Sequence, residues 1–249
     1  MDEVRDDSWM RLAPGRTLVW LRTSARMIRR GALRSLVLRS LSVAYAALGL
    51  DRWYGRVLLF SRDVTASPPA IGADLPLELR DLTEDEIGGF CRARPDVGEA
   101  DVRRRLDAGY RCLVSRSGER IVGEIWLVTG EVWHSALKRP IRLAPSDVYV
   151  YNSFVIPELR GRNLGTARSR LLGERLCAEG YRRMVYTVAP HNRPGLGPSA
   201  KLGAERLGSL GYVRVGSLQL DFARLHEGGF NWTRRGRAGT NALSLPTAS

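Results

Sequence analysis

The sequence predicts an α/β domain built on a mixed sheet with helices, preceded by a basic, mainly helical N-terminal extension. Two observations predict the domain. From about residue 75 onward, short runs rich in β-branched and aromatic residues alternate with longer stretches of 3.6-residue apolar period. Some of those runs are joined by tight Gly-containing turns, which makes hairpins and so excludes a purely parallel sheet. A third observation predicts the extension: between Ser8 and Leu50 stand eight arginines and no carboxylate.

The elements follow in order. From Thr17 to Leu48 the pattern is helical, with Leu18, Leu21, Ala25, Ile28, Ala32 and Leu36 recurring at three- and four-residue steps. Arg22, Arg26, Arg30 and Arg34 mark another face of the same helix. With Trp20, such a helix can lie on an anionic membrane surface through residues 17–48, or pack its apolar face on the rest of the chain. Residues 1–64 are read as this extension, closing on the strand-like run Arg56–Phe60. Residues 65–74, rich in Pro, Gly and small side chains, cannot hold a helix and read as a linker.

The domain itself is expected over 75–226. Leu77–Arg80 is its first strand. Thr83 followed by Glu86 is a capping box that opens a helix toward Arg94, and Asp96–Ala108 makes a second helix. Tyr110–Ser115 and Arg120–Thr129 form a hairpin around Ser117-Gly118. A loop spans Gly130–Asp147, Val148–Val155 is a strand, and Gly161–Glu179 is a helix stopped by Gly180. Arg183–Val188, Pro194–Leu202 and Ala204–Leu220 follow as strand, short helix and hairpin. Residues 227–249 read as a flexible tail.

Composition narrows the function. Among 249 residues, 39 are Lys or Arg and 26 are Asp or Glu, a formal charge of +13 with a pI near 10.6. That balance favours anionic partners: phosphates, acidic lipid or nucleic acid. Only Lys138 and Lys201 are lysine, an Arg bias that a GC-rich genome also produces. The basic stretch has no interleaved aromatics or reading motif, so nucleic acid is disfavoured. Cys91, Cys112 and Cys177 are odd in number and widely spaced, which excludes a disulfide framework or a sequence-local zinc site and suits a reducing compartment. The acidic start lacks the order of a secretory signal, and no apolar run of about 18 residues reads as a membrane span. The expectation is a cytoplasmic protein, with peripheral membrane association as the variant, and no metal.

The chemistry is carried by Val155-Ile156-Pro157-Glu158-Leu159-Arg160-Gly161-Arg162-Asn163-Leu164-Gly165-Thr166-Ala167. A strand ends, Pro157 breaks it, and an Arg/Gly-rich turn feeds a long helix. Such a junction presents free backbone N–H groups and the positive end of a helix dipole, and Arg160 and Arg162 add charge: a pyrophosphate cradle. Neither the P-loop nor the G-x-G-x-x-G spacing is present.

At this segment the chain resembles the GNAT superfamily of acyl-CoA-dependent N-acyltransferases. The family pattern is a strand ending in V-x-P, then Arg/Gln-x-x-Gly-x-Gly/Ala at the helix start. Val155, Pro157, Arg160, Leu164 and Gly165 fall in place, Gly161 gives the common Arg-Gly start, and Asn163 replaces the first Gly. Asn tolerates left-handed backbone angles, so the turn survives. Asn192 matches the Asn that follows the family's next strand. The Tyr that often stands seven residues later is here Ser199, a far weaker acid.

The resemblance implies a GNAT-like mixed, mostly antiparallel sheet flanked by helices, over about residues 75–225. It implies acetyl-CoA or another acyl-CoA as cosubstrate and an amine acceptor that attacks directly, with no covalent enzyme intermediate. Phe154, Val155, Arg160, Gly161, Arg162, Asn163, Leu164, Gly165, Thr166 and Asn192 would bind the cosubstrate. Deprotonation of the amine would fall to Glu124 on the preceding strand, Glu131 or His134 in the loop, or Tyr151 or Asn152 through water, with Ser199 at the general-acid position. Two alternatives stand beside acetyl transfer: a long-chain acyl transferase at the membrane surface, and a degenerate, non-catalytic acyl-CoA-binding module.

Overall fold

The computed structural model describes residues 53–66, 75–226, 229–234 and 242–245. The helix expected over residues 17–48 lies outside them. Strand β1 (Tyr54–Asp63) comes first, then β2 (Glu78–Asp81), α1 (Ile87–Ala93) and α2 (Glu99–Asp107). The hairpin β3 (Arg111–Ser117) and β4 (Arg120–Val128) is followed by a smaller one, β5 (Glu131–His134) and β6 (Arg139–Arg142). Next are β7 (Asp147–Val155), α3 (Leu164–Ala178), β8 (Arg183–Val188) and α4 (Arg193–Lys201). The chain closes with β9 (Glu205–Val215), β10 (Leu218–Leu225), β11 (Gly229–Arg234) and β12 (Leu243–Ser244).

Nine strands form one sheet in the order β11-β10-β9-β1-β8-β7-β4-β3-β2. All neighbours are antiparallel except β7 and β8. The expected mixed, mostly antiparallel sheet flanked by helices is therefore what the chain adopts. On one face α1 and α2 bury Ile87, Phe90 and Val102 against Val114 and Trp126. Beside them a small sheet, β12-β6-β5, packs Val132 and Ile141 on Leu59 and Tyr149. On the other face α3 sets Leu172 and Leu176 against Ile125, Val148 and Met184, and Leu196 of α4 lies on Leu58 and Val188. The alternation of Val148 and Tyr149 between the two faces is the ordinary period of a strand.

Three expectations differ. Residues 54–63 are not the end of an extension; β1 sits mid-sheet, with Phe60 opposite Tyr186 of β8 and Leu59 opposite Gly208 of β9. The physical reason is its unbroken apolar run: Val57, Leu58, Leu59 and Phe60 are all buried, as a strand covered on both faces requires. Arg62, also buried, donates from Nη2 to the Ser169 carbonyl of α3 at 2.9 Å, further tying β1 to the domain. The Gly130–Asp147 segment is not a plain loop, since β5 and β6 pair through it. Nor are residues 227–249 simply a tail: β11 pairs with β10 along six positions, and β12 joins β6. No helix among the described residues is long and apolar enough to cross a membrane.

Candidate active site

The site begins where β7 and β8 part. Their parallel pairing covers only Asp147–Tyr149 against Arg183–Val185. The closed end is pinned by a buried ion pair, Arg183 Nε to Asp147 Oδ1 at 3.0 Å, and by the Arg182 N–H on the Ser146 carbonyl at 2.9 Å. Beyond Tyr149 and Val185 the two strands have no pairing with each other, so a V opens toward Val155 and Val188. On its other side β7 stays paired with β4, but the register jumps: Glu124 faces Phe154 while Trp126 faces Tyr151. The extra residue is absorbed at Asn152, whose φ of 49° lies in the left-handed region that Asn tolerates.

At the mouth of the V the chain turns through a 3-10 segment, Pro157–Leu159, into α3. Gly161 has φ 83° and Asn163, the N-cap of α3, has φ 56°. The first helical bond to this cap runs from the Ala167 N–H to the Asn163 carbonyl at 2.9 Å. The N–H groups of Leu164, Gly165 and Thr166 therefore belong to the uncapped first turn. The Asn163 side chain makes no capping bond; its Oδ1 accepts from Lys201 Nζ of α4 at 2.8 Å. A Cβ added at Gly165 would meet nothing within 4 Å, so the first turn faces open space. Uncapped donors, the helix dipole, Lys201 and exposed Arg162 make this an environment for an anion.

Arg168, one turn further along α3, is fully buried and was not singled out by the sequence. Its Nη1 donates to the Glu124 carbonyl at 2.8 Å and to the Phe154 carbonyl; its Nη2 donates to Ser153 Oγ. One guanidinium thus grips β4 and the bulged end of β7 together. Burial pulls its pKa down to about 10. Gly123 makes room for it: a Cβ there would lie 2.9 Å from Arg168 Nη1 and 2.5 Å from the Phe154 carbonyl oxygen.

On the α1–α2 face a cleft of about 690 Å³ opens beside Phe154, Ile156 and Pro157, with Ala93, Pro95 and Asp96 across from them. Beneath it lies a buried charged cluster. Arg94 pairs with Glu124 through Nη1 and with Asp96 through Nε at 2.8 Å, and its guanidinium lies 3.9 Å from the Phe154 ring centroid. Burial raises the Glu124 pKa, against the pull of Arg94, and Glu124 Oε2 has no hydrogen-bond partner among the described residues. Within the same sheet face His134 turns its ring inward, Nε2 lying 2.7 Å from Thr187 Oγ1. Nδ1 accepts from the Leu137 N–H at 3.3 Å, so the neutral ring carries its proton on Nε2. Burial lowers the His134 pKa to about 4.

The predicted residues are distributed as follows. Phe154, Val155, Gly161, Asn163, Leu164, Gly165 and Thr166 come together at the mouth of the V. Arg160 does too, but its Nε donates to the Val155 carbonyl at 2.9 Å, bracing the turn. Asn192 caps α4 instead: its Oδ1 accepts from the Gly195 N–H at 3.4 Å. Ser199 is buried and donates to the Gly195 carbonyl at 3.3 Å, which occupies its proton. Tyr151 is packed between Tyr110, at 5.5 Å between ring centroids, and Trp126. Glu131 is exposed and paired with Arg142. Besides Arg168, sequence reading missed Arg94, Asp96 and Tyr186. Tyr186 lies one residue past the last β7–β8 pair, within hydrogen-bonding reach of Ser199 and stacked on Phe60 at 5.7 Å. Its phenol is pushed up by burial. Nothing in the local pattern marks Arg168, Arg94 or Tyr186, because each is defined by a partner distant in sequence, and Asp96 joins the site only through Arg94, which reaches Glu124.

No protein-family model and no curated protein matches this chain. Solved structures similar to it include a functionally unknown conserved protein from Staphylococcus epidermidis, 10% identical over 63% of this chain and 59% of that one, with a TM-score of 0.46. A GCN5-related N-acetyltransferase from Sphaerobacter thermophilus is 14% identical over 66% of this chain and 54% of that one, TM-score 0.46. Another from Kribbella flavida is 13% identical over 67% and 61%, TM-score 0.44. The chain thus spans little more than half the length of these proteins.

Proposed function

We propose that the protein is an acyl-CoA-dependent N-acyltransferase that transfers an acetyl group to an amine. The observation that carries this reading is the parting of β7 and β8 in front of the uncapped, left-handed entry to α3. The fit of a coenzyme A pyrophosphate rests on the first turn of α3, where space is open at Gly165 and Lys201 and Arg162 stand near. The N–H groups of Leu164, Gly165 and Thr166 would hold it, and the bound cosubstrate supplies an activated acyl thioester. Arg168 and Arg160 keep the end of β7 in place beside it. The cleft next to Phe154 admits the amine, and Asp96, on its lining, takes the amine's proton with Arg94 coupling it to Glu124. Tyr186, whose phenol donates to Ser199 at rest and is a far stronger acid than that hydroxyl, turns its proton to the departing thiolate.

Thiol release from acetyl-CoA, followed across a panel of amines with protein present and absent, tests the reading. Release that requires both protein and an amine is expected. Binding of acetyl-CoA without release from any amine would replace catalysis with a binding role, and no binding would end the reading altogether.

A further inference from the structure

The outer third of the large sheet is covered on one face only. Under the β5–β6 hairpin its strands bury Tyr212, Gln219 and Asp221, the last paired with Arg139 at 3.4 Å. The opposite face of β9, β10 and β11, and of β1 at its Tyr54–Arg56 end, carries no helix or strand among the described residues; further along β1, α4 covers Leu58. Register places Tyr54, Phe222 and Trp232 there: Val213 faces both Tyr54 and Leu220, and Phe222 faces Gly211 and Trp232. The rings form a continuous platform, Tyr54 to Phe222 at 6.3 Å, Phe222 to Trp232 at 5.4 Å and Trp232 to Phe230 at 5.2 Å. Phe230 is 55% exposed, Trp232 51% and Tyr54 41%. Gly211 makes this possible, since a Cβ there would collide with the Phe222 ring.

The charges on this face decide what covers it. Arg56 is aligned with Gly211, and Arg224 with Phe230; both are exposed, and no carboxylate shares their face in the register. A second copy of the chain would set these arginines against arginines. The chain's own residues 8–50, with eight arginines and no carboxylate, would do the same. An anionic surface that also accepts aromatic and aliphatic side chains meets both requirements. We propose that this sheet face docks on an anionic membrane, with the aromatic rings at the headgroup level and Arg56 and Arg224 on the lipid phosphates. Aliphatic Val213, Val215, Leu218 and Leu220 among the rings favour lipid over a single-stranded nucleic acid, which needs stacking platforms and a charged groove. The inference is independent of the acyltransferase reading.

Vesicle co-sedimentation of the full chain tests it, with phosphatidylcholine alone and with phosphatidylcholine containing phosphatidylglycerol. Wild-type protein is expected to sediment with the anionic vesicles only. The double variant Arg56→Glu/Arg224→Glu should bind at least about tenfold more weakly, since each basic residue at such a surface contributes ~1 kcal/mol. Phe230→Ser/Trp232→Ser should weaken binding similarly, and Arg104→Glu, on α2 of the other face, should change nothing. No wild-type binding, or undiminished binding by the charge-reversed variant, would overturn the proposal. So would a dimer that the same variants dissolve, or a preference for single-stranded DNA over vesicles that the charge reversal abolishes.

Discussion

Replacing Arg168 with Met removes the side chain whose hydrogen bonds tie the β4 backbone to the bulged end of β7. Three acceptors lose their donor: the Glu124 carbonyl, the Phe154 carbonyl and Ser153 Oγ. Ser153 is exposed, so water replaces its donor; the two carbonyls left without a partner cost about 1–3 kcal/mol each, ~4 kcal/mol together. Against this, the variant no longer buries a cation whose pKa burial holds down at about 10, which offsets ~3 kcal/mol. The net is ~1 kcal/mol of lost stability, or a melting temperature lower by roughly 2–4 °C for a chain of this size. Thermal unfolding followed by circular dichroism reads it. Arg168→Lys should recover only part of the loss, because one ammonium cannot span the positions that the fork reaches. A melting temperature at or above that of the wild type would refute the reasoning, and would class Arg168 with those buried ions that apolar groups replace without cost.

Gly123→Ala should destabilise by ~1–3 kcal/mol in urea unfolding, because its methyl would press on the Phe154 carbonyl and Arg168 at contact distances the structure cannot absorb. Gly165→Ala, with open space around it, should unfold at the same urea concentration as wild type; equal behaviour of the two variants would contradict both. For His134 the folded pKa of about 4 lies below the unfolded 6.5, so the unfolded state binds more protons between those values. Its contribution is complete above pH ~6.5 and is lost as the pH falls toward ~4, by up to ~3 kcal/mol. Urea midpoints at pH 7 and pH 4.5 should therefore differ more for wild type than for His134→Gln, and identical differences would refute the burial argument.

The parts of the fold that could be read in advance are those decided locally. Pro157, the Arg/Gly turn and the apolar period of α3 lie within one stretch of chain, and the strand–turn–helix junction follows from them. Asn163 is the clearest instance: its tolerance of left-handed angles was the reason to keep the turn, and it adopts φ 56°. What local pattern could not show depends on partners far away. The run Val57–Phe60 reads as strand, but only pairing with Tyr186 and Gly208 places β1 in the middle of the sheet. Arg168 sits among other arginines on a helix, and nothing in Arg168-Ser169-Arg170 says which one turns inward. Asn192 and Ser199 had the spacing of site residues, yet their hydrogen bonds go to the first turns of α4. Spacing along a chain constrains where a residue stands and leaves open which group its side chain meets.

Whether the entry to α3 holds the phosphates of an acyl-CoA is tested directly by calorimetric titration of acetyl-CoA into wild type and Gly165→Asp. A carboxylate in the first turn suits the helix dipole, and no atom lies within 4 Å of the added Cβ, so the variant should fold as well as wild type. Its negative charge would stand where the pyrophosphate belongs. Saturable binding to wild type is expected, with at least tenfold weaker binding to the variant at an unchanged melting temperature. Equal affinity for the two proteins, or no binding to wild type, would contradict it.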